Sequence, residues 1–233
     1  MYAYFTREKH LFSRCYREEL EKLTLLRLEL PMRCRTVPRR TLRALRRSGV
    51  TVLLNGPENR FLPLLETGGL YRRKAGELAL LWLQQHEIDP ARAVVGLLGR
   101  RWTGEMERSA AVLVPQIRGL ALTMPDPSEA EWTLQQRYGV SVFQGEGDLT
   151  LCFSPASAGE KRLLLGENRP RIPGIDFRWR SGELPKNAPA DALLTALICG
   201  GRTDWTAAEP VLSDTEKALE FPKKMVDKPR SVC

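Results

Sequence analysis

The residues whose types and spacing best suit chemistry lie in one short stretch, Gly96-Leu-Leu-Gly99-Arg100-Arg101-Trp-Thr-Gly104, where an apolar run gives way to glycines and two adjacent guanidiniums. With a strand ending at Leu98 and a helix opening near Gly104, Arg100, Arg101 and the amides of the first helical turn could bind an anion, because unpaired N–H groups and the helix dipole favour negative charge there. The competing reading is an ordinary strand-to-helix connection carrying two solvated arginines. A second basic group, Arg39, Arg43, Arg46 and Arg47, is set around the polar face of a helix spanning 38–48, with Arg33 and Arg35 just before it and Tyr2, Tyr4, Phe5, Phe12 and Tyr16 farther upstream. Such a face could track nucleic-acid phosphates or an acidic partner. A solvated helix face is the favoured reading, since late arginines suit the negative end of a helix dipole and no helix-turn-helix, zinc-finger or RNA-motif signature accompanies the charge.

Other chemistries find little material. The two histidines, His10 and His86, stand apart, and the five cysteines at 15, 34, 152, 199 and 233 form no C-x-x-C pair, so a Cys/His zinc site is not expected. Cys152 falls in an apolar run and Cys199 near the end of a helical one, which reads as small core residues in a reducing compartment. No H-E-x-x-H, P-loop or G-x-S-x-G pattern is present, no Ser/His/Asp set assembles from the chain order, and neither a catalytic residue nor a cofactor is assigned.

Composition sets the outer bounds. The 233 residues, 42% hydrophobic and 27% charged, can bury a substantial core without a metal or disulfide. No run approaches the ~18 apolar residues of a spanning helix, and Met1 to Glu21 lacks the continuous apolar segment of a signal peptide, so a soluble, cytoplasmic protein with no membrane partner is expected. Residues 1–50 hold 13 Lys/Arg and 5 Asp/Glu, and therefore the whole formal charge of +8.

The elements that must position these residues follow from periodicity. Leu26, Leu28 and Leu30 alternate with Arg27 and Glu29 as in a half-buried strand, and Val50 to Leu54 gives another before Asn55-Gly56-Pro57. Leu42 and Leu45 form the apolar stripe of the basic helix, which Pro38 opens and Gly49 stops. Tyr71, Ala75, Leu78 and Trp82 share one face of a helix over 71–85. Ala93 to Leu98 suits the centre of a parallel sheet; a helix through Met106, Ala110, Leu113 and Ile117, shortened by Pro115, leads to a strand at 118–124. Asp126-Pro-Ser-Glu129 is a well-specified helix start, Gly139 ends that helix, and strands at 140–143 and 148–153 follow. Later elements are strands at 162–165 and 175–179 and a helix opened by Pro189. Strands alternating with helices predict an α/β fold, in which 24–30, 50–54, 93–98, 118–124 and 140–143 join one mainly parallel sheet with helices on both faces.

Residues 93–155, about a quarter of the chain, resemble the Rossmann-like NAD(P)-binding domain of nicotinamide-dependent dehydrogenases such as the shikimate dehydrogenase group. The likeness rests on the strand at Val94 to Leu98, the helix after Gly104, the strand ending before Asp126, and Asp148-Leu-Thr-Leu-Cys-Phe-Ser-Pro155, which is similar to that family's Asp-strand-Thr/Ser-Pro run. It implies a dinucleotide turn at Gly99, Arg100, Arg101 and Gly104, and a ribose contact from Asp126. The sequence departs from the family at that turn: with Gly99 as first glycine of G-x-G-x-x-G, Arg101 occupies the second position, where the backbone must approach a pyrophosphate closely. Asp126 also suits a helix cap, which the following Pro and Glu explain.

The organisation expected is an N-terminal α/β region (1–92) bearing the basic segment, a Rossmann-like half (93–155), an irregular region with one helix (156–212) and a flexible tail (213–233). The function expected is that of a small-ligand binding or regulatory protein taking an anionic small molecule. A nicotinamide- or nucleotide-dependent enzyme is one rival; the other is an interaction protein that contacts nucleic acid or an acidic partner through residues 1–50.

Overall fold

The computed structural model describes residues 1–9, 12–32, 34, 37–56, 59–143 and 147–213. Its first sheet contains β1 (Tyr2–Glu8), β2 (Arg14–Leu20), β3 (Leu23–Pro31) and, after helix α1 (Arg39–Arg47), β4 (Val52–Leu53). The order is β2-β3-β1-β4; β1 runs parallel to β3 and β4, and β2 is antiparallel to β3. Ala3 and Phe5 pack with Leu28, Leu30, Leu42 and Leu45 in one cluster, whereas Tyr4 joins Leu25 and Leu54 in another. β1 thus buries both faces, and a strand of that kind shows no apolar/polar alternation.

Helices α2 (Gly68–Arg73) and α3 (Ala75–Gln85) lead into the second sheet. That sheet is built from β5 (Val94–Leu98), α4 (Gly104–Leu113), β6 (Gly119–Thr123), α5 (Ser128–Tyr138), β7 (Val142–Phe143), β8 (Leu149–Cys152) and β9 (Arg162–Leu164). All its pairs are parallel, in the order β7-β6-β5-β8-β9, so the direction of strand addition reverses between β5 and β8. An antiparallel pair, β10 (Ile175–Trp179) with β11 (Ala208–Leu212), flanks helix α6 (Ala190–Cys199) in the chain.

Three expectations need correcting, and one strand was not expected. The strands at 24–30 and 50–54 do not join those at 93–98, 118–124 and 140–143; they belong to the first sheet, because β1 supplies a parallel neighbour to each. The helix expected over 71–85 is two helices, since Lys74 leaves helical geometry (φ −99°, ψ 11°) while Tyr71 and Ala75 stay buried on either side of the break. Cys152 is a core residue, but Cys199 is exposed at the last position of α6. β11 carries Pro210 opposite Phe177 on the two-stranded sheet, and the breaker concealed this strand from a periodicity reading. The tail expected over 213–233 lies outside the described residues beyond Ser213, as do His10, Arg33, Arg35 and Cys233. No helix among the described residues is long and apolar enough to cross a membrane.

Helix α6 joins the two sheets. Ala192, Leu193 and Ala196 pack with Tyr4, Leu25 and Leu54 of the first sheet's core, while Leu194 and Leu197 lie in the cluster holding Val95, Leu97 and Leu151 of the second. At its first turn Asp191 accepts a hydrogen bond from the Tyr71 hydroxyl at 3.3 Å and one from the Ala192 amide at 2.7 Å. Burial holds the Asp191 carboxyl above the usual carboxylate range, and burial reinforced by the Asp191 charge raises the Tyr71 phenol. Tyr71 also meets Phe177 edge-on, with ring centroids 5.1 Å apart.

Because one helix serves both cores, Leu193→Ala and Leu194→Ala are each expected to cost about 2–5 kcal/mol of the same unfolding transition. Urea unfolding followed in parallel by far-ultraviolet circular dichroism and tryptophan fluorescence should give coincident curves in all three proteins; separated curves would show that the sheets unfold independently.

Candidate functional site

The parallel sheet fixes a crevice where its order reverses. β5 ends at Leu98 and β8 at Cys152, in register across Leu98 and Cys152, so the segments that follow leave the sheet side by side. They enclose a cavity of about 290 Å³ lined by Gly99, Arg100, Arg101 and Thr103 on one side and Phe153, Ser154 and Pro155 on the other. Backbone bonds hold both rims: the Gly99 amide donates to Thr123 O at 3.1 Å and the Phe153 amide to Leu98 O at 2.8 Å. In open parallel sheets, ligands bind outside the carboxyl ends of the strands at such a reversal.

Thr103 caps α4, its hydroxyl accepting from the Met106 amide at 3.3 Å. Gly104 and Glu105 then present backbone N–H groups with no protein partner among the described residues. Arg100 and Arg101 are exposed, and neither forms an ion pair among the described residues. Two first-turn carboxylates weaken the attraction for an anion, but both are engaged: Glu105 meets Arg72 at 3.1 Å and Glu107 pairs with Arg137. In the same turn the Trp102 Nε1 donor is buried without a protein acceptor, a state costing about 1–3 kcal/mol when nothing accepts from it. The arrangement offers exposed positive charge, two amides with no protein partner among the described residues, and an apolar wall. Among the described residues no group of three or more His, Cys, Asp or Glu could hold a metal ion.

Of the residues singled out from the sequence, Gly99, Arg100 and Arg101 line this crevice, and Gly104 follows as the first residue of α4. Asp126 does not line it. Asp126 is exposed, its carboxylate accepts from the Ser128 amide at 3.1 Å, and that hydrogen bonding holds it below the usual carboxylate range. Arg39, Arg43, Arg46 and Arg47 lie on α1, a separate element: all four are exposed, Leu42 and Leu45 are buried beneath them, and Arg43 sits 5.3 Å from the centre of the Phe61 ring. Thr103, Phe153, Ser154 and Pro155 complete the lining without any signal of a site in their own residue types; the one sequence pointer to the last three is that they close the Asp148-to-Pro155 motif.

The two glycines of the turn differ. A methyl group at Gly99 would fall 3.2 Å from the Met106 side chain and 3.4 Å from Arg101 O, whereas one at Gly104 would meet nothing within 4 Å. In a dinucleotide turn the third glycine is required for close packing of helix on strand. That requirement is missing at Gly104. No protein-family model matches the chain, and no curated protein sequence matches it.

Gly104→Ala should therefore be neutral or stabilising by up to about 1 kcal/mol, through a less flexible unfolded chain and better helix propensity. Gly99→Ala should destabilise. Thermal unfolding of the two variants measures the contrast, and a marked loss from Gly104→Ala would contradict the open geometry at that position.

Proposed function

We propose that this chain is a Rossmann-like protein that binds a small anionic molecule at the crevice between the ends of β5 and β8, serving as a binding or regulatory protein. The observation that carries the reading is the coincidence of the cavity with the order reversal, since β7-β6-β5-β8-β9 repeats the 3-2-1-4-5 succession of doubly wound sheets and Arg100 and Arg101 sit at its β5 rim. The anion would rest against these guanidiniums and the free amides of α4, with Phe153 and Pro155 walling the opposite side.

A full dinucleotide is disfavoured by the same turn. Arg101 stands where a pyrophosphate needs backbone unobstructed by a side chain, and Asp126, the candidate ribose partner, is already committed to the start of α5. Calorimetric titration of the whole chain should accordingly give dissociation constants for NADH and NADPH well above the low-micromolar range, about −8 kcal/mol. Pyrophosphate should bind, and Arg100→Gln with Arg101→Gln should weaken that binding at least about tenfold, as loss of charge-assisted hydrogen bonds requires. Tight NADH or NADPH binding, or the absence of any pyrophosphate binding event that these substitutions weaken, would refute the proposal.

The exposed arginines of α1 favour a second reading, in which residues 1–50 contact a polyanion, because no ion pair within the described residues neutralises Arg39, Arg43, Arg46 or Arg47. Fluorescence anisotropy with labelled DNA and RNA tests it. Binding through this helix should fall with a slope of roughly −0.9 per phosphate contact in log affinity against log salt for duplex DNA, and should vanish when the four arginines become glutamine. Binding that survives both challenges would leave α1 a solvated face.

A further inference from the structure

Beside the edge strand β9 lies a larger hollow, about 430 Å³, that shares no lining residue with the crevice. Its basic wall follows from chain geometry. Along Arg169-Pro-Arg-Ile-Pro173, Pro170 and Ile172 are buried while Arg169, Arg171 and Pro173 line the hollow. In β9, Arg162, Leu163 and Leu164 all line the hollow, Leu163 being buried at its base in the core. Three arginines drawn from two segments thus line one hollow.

Two of the three are held in place before any ligand arrives. An Arg162 guanidinium nitrogen donates to the Ser157 hydroxyl at 2.9 Å, and one from Arg169 donates to Leu54 O of the first sheet at 2.9 Å. The far side is the exposed His86 ring, stacked on Trp82 with centroids 3.8 Å apart and fixed by Nδ1 at 2.8 Å from Trp82 O. Exposed Glu160 and Glu167 also line the hollow, so its lining sets three arginines against two carboxylates rather than presenting a purely basic surface.

We propose that this hollow is a second ligand site, for a small molecule bearing a multiply charged oxyanion group, either a phosphate ester or a polycarboxylate. Planar guanidinium forks match both oxyanions, and arginines grouped around a concavity raise the local potential that such a ligand feels.

Calorimetry on the whole chain, with pyrophosphate and citrate as probes, tests the site. Arg162→Gln with Arg171→Gln removes two guanidiniums without touching the Arg169 tie to the first sheet, and should weaken one binding event at least about tenfold. Arg100→Gln with Arg101→Gln should leave that event in place, which separates it from the crevice. Glu160→Gln with Glu167→Gln should strengthen it several-fold, a change of sign that damage to the fold would not produce. The tighter probe identifies the oxyanion class. The proposal fails if neither probe binds outside the crevice, if the event survives loss of Arg162 and Arg171, or if the glutamate substitutions leave it unchanged or weaken it.

Discussion

The pairing of β8 with β5 is the contact on which the candidate site depends, and Asp148 fixes it twice. Its amide donates to Val94 O at 2.7 Å and its carboxylate accepts from the Val94 amide at 2.9 Å, closing a two-bond clamp at the first position of the ladder. The register that follows sets Val95 opposite Leu149 and Leu98 opposite Cys152. A slip of one residue would exchange the faces of β8, whose side chains from Leu149 to Cys152 are all buried, and would carry Phe153 and Ser154 away from Gly99. Gly147 makes the clamp accessible: a methyl group there would lie 2.4 Å from Val94 O, so only a glycine lets the incoming chain pass so close to β5.

From this fixed ladder the rest of the architecture extends in two directions. On one side α4, β6, α5 and β7 continue the sheet; on the other β9 ends it and leaves an edge along which the second hollow lies. The first sheet enters the same body through α6 and through the Arg169 bond to Leu54 O. Its own polar face is organised by Arg27, which meets Glu29 at 2.6 Å and Glu18 at 3.5 Å, while the buried Tyr4 hydroxyl donates to Glu18 at 2.5 Å. Burial and that hydrogen bond to Glu18 both raise the Tyr4 phenol, so it acts as a neutral donor in the packing between the sheets.

Much of the second sheet was legible in the sequence because its signals are local. Ala93 to Leu98, the 118–124 strand and the Asp126 start of α5 each rest on a few adjacent residues, and the described elements fall within a residue or two of those bounds. Pro115 shortened α4 to end at Leu113, as its ring requires. The first sheet was only half legible: β3 alternates plainly, but β1 buries Ala3 and Phe5 on one face and Tyr4 and Thr6 on the other, which erases the period. Without β1, the strands β3 and β4 have no parallel neighbour to pair with, and periodicity alone assigns to a single sheet strands that belong to two. The site divided along the same line. Gly99, Arg100 and Arg101 are contiguous and were visible, whereas Phe153 and Ser154 join them only through a parallel pairing that spans more than fifty residues of sequence. Arg162, Arg169 and Arg171 were invisible as a group for the same reason, since nothing in their spacing announces a common wall.

The crevice at the order reversal is the centre of this account, and amide chemical shifts of the isotopically labelled chain during titration with pyrophosphate address it most directly. The expected result is saturable movement of the Gly99 to Met106 amides together with those of Phe153 and Ser154, whether or not a second set moves near Arg162 and Arg171. Saturation that leaves Gly99 to Met106 unmoved would contradict the account, because no anion held by Arg100, Arg101 and the free amides of α4 could escape detection there.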